Sequence, residues 1–594
     1  MANNDSITVS EVRVRNFRSL ESVDVILDRR MTILIGENNV GKSNFIEAMR
    51  LAIGVGARFI VNEDDIYIAP NEDTIPRNRE ATIDILIRPI DEKEKILDVF
   101  SLDSFWTGHW GDAISHDALN KEFVGIRTRI FWSKEENRYK VDKKYLKDWK
   151  EDSKHIEESR NKTGQVKFEK IEPLGLYVLT SDRDIEIEMD RGNSAWYRMV
   201  SDLGVNEEET KQIEKLLSMI DNQIISASNV LSIIKNGLDD ISKTINLESD
   251  GVSITSVPKK IKDLGNNLGI NLAVKGSKSF PIKSHSSGTR SVASILIFRT
   301  FVMQKTKIDE THDYHTMLAV EEPESHLHPH AEHSLFETLL DISGQKIITT
   351  HSAHILSQAD LQNIRYFFRN GPHTEVVQLN MDEFNEEDRL KVRRKILMTH
   401  GDILFSRAIV LYEGQETEDQ VLPVFAREYW GKEHSSFGIS MASVKGYSYD
   451  TFLKFANDFK IKWYLFSDGE DNVVAKVKKA VQKIGKPFPG DNVFIIPDNK
   501  NFEQYISSEE YRDALTNMIV SERGENDKHK IALQVEFSTA PLEHIAAELK
   551  EHRRMYGGCI AEYITRMQDE TLKFPKVVRN LLEKISDDLG LQKR

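Results

Sequence analysis

Eight residues near the N-terminus, Gly36-Glu-Asn-Asn-Val-Gly41-Lys42-Ser43, constrain this chain more than any other stretch. Their spacing is that of a phosphate-binding loop, where glycines permit a tight turn and successive backbone N–H groups face an anion. Such a loop works only between a buried strand and the first turn of a helix. Thr32-Ile-Leu-Ile35 supplies the strand and Asn44-Phe-Ile-Glu-Ala-Met-Arg-Leu-Ala the helix, so an α/β fold is expected here. Gly36, Asn38, Asn39 and Gly41 are the expected cradle, with Lys42 set to neutralise the β and γ phosphates of a nucleoside triphosphate and Ser43 to reach Mg²⁺.

At 594 residues the chain exceeds one core, and ~150 residues per domain suggests three or four lobes. Alternating Val12, Val14, Phe17 and Val23, Val25, Leu27 read as half-buried strands, followed by strand-like runs at 81–87 and 124–132. From 139 to 278 the chain turns charged and helical in period. Ile213, Leu216, Leu217, Ile220, Ile224, Leu231, Ile234, Leu238, Ile241 and Ile245 form an apolar stripe, suited equally to packing on its own domain or to a dimer seam. Strand patterns return at 317–320 and 346–350, which makes the first lobe discontinuous, 1–138 and 279–380. A charged linker, 381–404, leads to a second unit, 405–594, where strands near 408–411, 463–466 and 493–496 alternate with helices and imply a parallel sheet.

Composition narrows the setting. The N-terminus lacks the basic and apolar regions of a leader, and no apolar run is long enough for a membrane span, so a cytoplasmic protein without membrane contact is expected. One cysteine, Cys559, excludes an internal disulfide framework and a thiolate zinc site. A net charge of −15 argues against a broadly basic nucleic-acid surface but leaves room for local patches, at 391–395, 552–554 and 573–579, each of which reads equally as a solvated helix face.

Two carboxylates close an apolar strand in Met317-Leu-Ala-Val-Glu321-Glu322-Pro-Glu, the arrangement that puts Glu321 on Mg²⁺ and Glu322 where it can act as base on an attacking water. His351 follows another buried strand, where it can sense a γ-phosphate. Ser286, Ser287 and Gly288 open a helix, and a helix start favours anions. In this order the motifs resemble the ATP-binding-cassette superfamily, in its branch with SMC-like and RecF-like heads. That resemblance implies that the Ser-Gly turn of one subunit completes the ATP site of another, although the usual Leu-Ser-Gly-Gly-Gln is not kept. His326, His328 and His330 stand too close together before a proline to favour zinc, and they match the segment after the acidic strand in this branch.

A second acidic series follows strands farther on: Glu413 with Glu416 and Glu418, then Asp468-Gly-Glu470-Asp471, then Glu503. Carboxylates at successive strand ends suit hard divalent cations, and the series is similar to a Toprim domain. Together, the ATP-binding-cassette head with its helical insertion and the Toprim unit resemble the OLD (overcoming lysogenization defect) family of ATP-dependent endonucleases, within it the Gabija-like or retron-associated antiviral effectors. The resemblance implies ATP and Mg²⁺ or Mn²⁺ as cofactors and DNA as substrate. It also implies a homodimer or homotetramer, and a helicase-like or reverse-transcriptase partner in a defence system. Glu413, Glu418, Asp468, Glu470 and Glu503 are the implied metal ligands, Glu418 being preferred to Glu416, and a C-terminal basic residue at the scissile phosphate would be Arg553, Arg554 or Lys573, with Arg554 adopted as the catalytic candidate. The competing reading is a non-cutting, SMC- or RecF-like DNA-binding ATPase scaffold in DNA repair.

Overall fold

The computed structural model describes residues 6–54, 60–91, 93–150, 166–180, 206–228, 271–272, 280–308, 315–379, 386–392, 394, 396, 401–414, 417–444 and 449–593. Strands in chain order are β1 Ser6–Phe17, β2 Leu20–Ile26, β3 Met31–Gly36, β4 Ala81–Ile90, β5 Ser115–His116, β6 Glu122–Ser133, β7 Arg138–Leu146, β8 Leu176–Leu179, β9 Asn271–Leu272, β10 Phe280–Pro281, β11 Met317–Glu321, β12 Gln345–Thr349, β13 Ile364–Asn370, β14 His373–Val377, β15 Ala408–Tyr412, β16 Ile439–Ser443, β17 Lys462–Ser467 and β18 Val493–Ile495. They fall into two compact units, one of 1–34, 40–350 and 369–374, the other of 35–39, 351–368 and 375–594.

In the first unit an antiparallel sheet runs β2, β1, β4, β6, with β5 and β7 both alongside β6. Val12, Val14, Val23 and Val25 are all buried, as their alternation requires. A parallel sheet runs β8, β11, β12, β3, with β3, β11 and β12 almost wholly buried. The expected helical segment at 139–278 differs at its start. Residues 138–146 are β7, paired with β6 from Ser133↔Arg138 to Gly125↔Leu146, and β8 joins the parallel sheet beside β11. Lys140, Lys143 and Lys144 give β7 its charged look; Lys140 and Lys144 share one face of the strand, while Lys143 lies on the other and donates to the Ala52 carbonyl at 2.6 Å. Helix does follow at Glu207–Ala227, where Leu217 is buried and Leu216, Ile220 and Ile224 are exposed. Leu231 to Ile245 lie outside the described residues, as do 381–385, 393, 395 and 397–400 of the expected linker. Among the described residues no helix is long and apolar enough to cross a membrane.

One polar cluster links the two sheets of this unit. Gln345 accepts from the Val9 N–H at 3.0 Å and donates to the Val9 and Asp28 carbonyls at 2.7 and 2.8 Å. His315 Nε2 lies 3.2 Å from Gln345 Oε1, and burial pushes this imidazole down to about 4. Neutral when folded, His315 takes up a proton on unfolding at mildly acidic pH. Its stabilising contribution is complete above about pH 6.5 and is lost as pH falls toward about 4, with on the order of 3 kcal/mol at stake. We therefore expect His315→Gln to lose less melting temperature than the wild type between pH 7 and pH 5 in parallel thermal melts. Equal losses would remove His315 as the source.

The second unit carries a four-stranded parallel sheet in the order β16, β15, β17, β18. Its helices include Glu418–Trp430, Tyr449–Asp458 and Asp471–Lys483, and five more follow from Arg512 to Leu589. The core packs Phe425, Tyr429, Phe466, Tyr556, Ile560 and Phe574 together, and the Trp430 indole donates to Ser586 Oγ at 2.9 Å. Chain paths from β15 and β17 leave in opposite directions, so a crevice opens at the carboxyl ends of these neighbouring strands. That is where ligands bind in open α/β sheets.

Candidate functional site

At the crevice in the second unit, Glu413 follows β15 directly and Asp468 follows β17. Glu470 is the N-cap of the helix Asp471–Lys483. Glu418 opens the helix Glu418–Trp430 and lies so close to Gly414 that a Cβ there would stand 1.6 Å from its Oε2. The segment after β18 folds over the acids: Gly469 N–H donates to the Lys500 carbonyl at 2.8 Å, and Phe502 N–H to Asp468 Oδ1 at 2.9 Å. Asp498 and Asn499 allow that turn with φ of 62° and 55°, and an Asn501–Gln504 capping box starts the helix that carries Glu503.

Crowding these carboxyls alters their chemistry. Burial, then the neighbouring Glu503, Glu470 and Glu413 charges, push Asp468 up to about 7, against the Phe502 N–H, which lowers it. Burial first, then Asp468 and Glu503, push Glu418 up to about 8, with Arg553 acting in the opposite sense. Glu503 meets its charge differently: Arg553 Nε and Nη2 donate to its two oxygens at 2.7 and 3.2 Å, and Thr417 Oγ1 donates to Oε1 at 2.8 Å. Tyr449, on the helix beside the crevice, is buried, and its hydroxyl is pushed upward by burial and the Glu413 charge.

Among the described residues no three His, Cys, Asp or Glu side chains are already disposed to hold an ion. The donor set is nonetheless all oxygen, and two of its carboxyls are held up by burial and then by their neighbours' charges, the second of which a divalent cation relieves. Hard cations such as Mg²⁺ or Mn²⁺ fit these residues.

Of the sequence candidates here, Glu413, Glu418, Asp468, Glu470 and Glu503 gather at one crevice, while Glu416 lies outside the described residues. Of the three basic candidates Arg553 meets the cluster, at Glu503, while Arg554, one position on, is exposed and Lys573 pairs with Glu570 at 2.5 Å; Lys476 Nζ, not among the candidates, stands 4.0 Å from Glu413 Oε1. Thr417 and Tyr449 were not foreseen, because neither stands in a motif and only the folded sheet brings them to the acids.

Gly469 is where the backbone itself comes closest to the acids' loop. A Cβ there would sit 2.0 Å from the Ile496 carbonyl oxygen, a backbone atom that cannot swing away. Gly469→Ala must therefore push β18 and its following loop off Asp468. We expect at least ~10-fold less metal-dependent activity with nucleotide binding intact, an effect of the size seen when support for metal ligands is lost; titrating both in one preparation checks it.

In the first unit, Gly41 has φ of 104° and precedes the helix Lys42–Ile53, whose Phe45 N–H bonds back to the Gly41 carbonyl at 2.9 Å. A Cβ on Gly41 would meet Leu20 Cδ2 at 2.4 Å, so the loop sits hard against the antiparallel sheet. Gly36 and Asn39, in the short segment 35–39 that is grouped with the second unit, also take positive φ, 143° and 63°. Glu37, Asn38 and Asn39 are exposed, whereas Lys42 is buried. Glu321 accepts from the Ser43 hydroxyl, which draws its carboxyl down, but burial wins and leaves it raised. Glu322 adopts φ of 43°, its N–H held by the Thr349 carbonyl at 2.9 Å and its Oε2 by Ser325 Oγ at 3.2 Å. The loop serine and the strand-end acid thus share a hydrogen bond, the pair that a nucleotide's Mg²⁺ bridges.

Ser287 and Gly288 start the helix Ser287–Ile308, and a Cβ on Gly288 would stand 2.5 Å from the His326 carbonyl, so glycine lets the two segments touch. His328 caps the helix Pro329–Leu340. His351, in the second unit, has its ring 5.7 Å from that of Phe405.

Two family models match this chain. The family model described as "AAA ATPase domain" matches residues 8–356, and that described as "Overcoming lysogenization defect protein-like, TOPRIM domain" matches 404–469. The chain is 23% identical over 461 residues to the Old nuclease of Escherichia phage P2, covering 74% of this chain and 73% of that one. An uncharacterized protein of Escherichia coli K12, YbjD, is 27% identical over 186 residues, 31% of this chain and 33% of its own length. Among solved structures, the C-terminal region of the Burkholderia pseudomallei OLD protein matches with 17% identity and a TM-score of 0.25, covering 31% of this chain and 99% of that one.

Proposed function

Because the chain belongs to the OLD (overcoming lysogenization defect) family of ATPase–Toprim proteins, we propose that it is an ATP-binding endonuclease that nicks or cleaves DNA with Mg²⁺ or Mn²⁺. The observation that carries this reading is the convergence of Glu413, Glu418, Asp468 and Glu470 at the carboxyl ends of β15 and β17. We further assign it to antiphage defence, as a homodimer or larger assembly with a partner protein of the same system, on the resemblance to Gabija-like and retron-associated effectors.

Each half has a distinct task. The loop from Gly36 to Ser43 holds the nucleotide, with Lys42 against its terminal phosphates and Ser43 and Glu321 toward its cation. Glu322, fixed through its own N–H and Ser325, is placed to orient and deprotonate a water. At the crevice Glu413, Asp468 and Glu470 are the residues that would hold the catalytic cation, with Glu418 beside them. Bound there, such a cation neutralises the phosphodiester and lowers the pKa of a coordinated water. Asp468 must give up its proton to serve as ligand, and the Phe502 N–H favours that ionised form. Gly469 and the loop after β18 keep Asp468 and Glu470 on one side of the strand end.

The deciding experiment is incubation of supercoiled and linear DNA with Mg²⁺ or Mn²⁺, with and without ATP. Metal-dependent nicks or breaks support the nuclease. An intact substrate under every metal and nucleotide, with ATP-dependent DNA binding retained, would favour the non-cutting scaffold.

A further inference from the structure

Five carboxylates crowd the crevice, yet one of them is already spoken for. Glu503, whose side chain is only 4% exposed, accepts at Oε1 from both Arg553 Nε and Thr417 Oγ1, at 2.7 and 2.8 Å, and at Oε2 from Arg553 Nη2 at 3.2 Å. Oε1 thereby accepts two donors, so a cation could bind at that atom only by displacing the guanidinium or the hydroxyl, and at Oε2 it would stand beside the Arg553 charge. Arginine keeps its charge at any working pH, and a two-point fork on a carboxylate is the geometry it matches best.

Both ends of the pair are anchored. Glu503 sits in the first turn of a helix fixed by the Asn501–Gln504 capping box. Arg553 is the first residue of the helix Arg553–Thr565, which is tied down at its start by Glu548: Tyr556 Oη donates to Glu548 Oε1 at 2.6 Å and Arg523 Nη1 to the same oxygen at 2.5 Å. Tyr556 is fully buried. These contacts fix the backbone positions from which the two side chains meet.

We infer that Arg553 supplies the positive charge that a second divalent ion would otherwise bring, so that this centre binds a single cation, on Glu413, Asp468 and Glu470, with Glu503 kept as the arginine's partner. The inference rests on the nuclease reading above, because it presumes a catalytic cation at Asp468. Arg553 is then a positioning residue that fixes the ion count and leaves a guanidinium beside the acids.

Counting Mn²⁺ bound to the full-length protein without nucleotide, from the electron paramagnetic resonance of free Mn²⁺, tests this without reference to activity. The wild type is expected to bind one ion that Asp468→Ala abolishes. Arg553→Gln should bind two, and Arg553→Gln combined with Glu503→Gln should return to one. Two Asp468-dependent or Glu503-dependent ions in the wild type, or one ion still in Arg553→Gln, overturn the inference. If Arg553→Gln fails to fold, the wild-type count decides alone, backed by Arg553→Lys, which keeps the charge and should stay at one. A wild type with no ion sensitive to Asp468 sinks the nuclease reading itself, a result distinct from a count of two.

Discussion

Asp468→Ala is expected to remove DNA cleavage while sparing ATP hydrolysis. Groups that merely support a metal ligand are worth ~10–100-fold in activity, so loss of the ligand at the centre of the cluster should cost at least ~100-fold. Asp468→Asn refines the test. Its amide oxygen still accepts from Phe502 N–H and its size is unchanged, so a matching loss in that variant assigns the effect to charge rather than to folding. Persistent cleavage in both variants would place the nuclease elsewhere or nowhere in the chain.

The same carboxyl predicts how pH acts. With its pKa raised to about 7, Asp468 is stabilising as the neutral acid, a contribution present in full below its unfolded value near 4 and lost as pH rises through about 7; Glu418 behaves likewise through about 8. Metal-free protein should therefore lose melting temperature from pH 6 to pH 8.5. Cation affinity should rise over the same interval, because protons leave the site the ion enters. Mg²⁺-induced shifts in melting temperature across that range measure both. A shift independent of pH would mean that the ion binds away from these acids.

Lys42→Ala should abolish nucleotide binding and lower ATP hydrolysis at least ~100-fold, the scale of losing one preorganised charge at a transferring phosphoryl group. Lys42 is buried at the first turn of its helix, so the protein's melt must be compared alongside. Fluorescent-nucleotide titration gives the binding, and the cleavage lane of the same variant gives the sign of control: faster cutting means that bound ATP restrains the nuclease, slower cutting that it licenses it. Undiminished binding would displace the loop from its role.

The strands that carry the chemistry were legible because they are short runs with an apolar centre that lead, within two residues, into an acid or a histidine: 317–320, 346–350, 408–411 and 463–466 all lie within or one residue beyond observed strands. β7 was not, since Lys140 and Lys144 on one face and Lys143 on the other hide the alternation, and β8 is too short to show a period. At the crevice, the acids could be read from their places after strands. Their electrostatic partners could not. Glu503 and Arg553 stand 50 positions apart, on helices whose approach depends on how the C-terminal helices pack against β15 and β17. Thr417 and Tyr449 belong to the same class of residue, silent until the fold brings them in.

The Gln345 amide has a consequence for how this protein is made. Its partner Val9 lies 336 positions upstream, and β3 likewise finds its neighbour β12 only after β4 to β11 have been synthesised. At translation rates of ~5–20 residues per second, the apolar strand Met31–Gly36 waits on the order of tens of seconds for the strand that covers its edge. During that interval the nascent chain presents an unpaired hydrophobic edge, the feature most prone to wrong pairing with other chains. Slow synthesis or crowded ribosomes should thus lower the yield of this ATPase head far more than its equilibrium stability suggests, and chaperone supply during expression becomes a property set by the order in which its strands leave the ribosome.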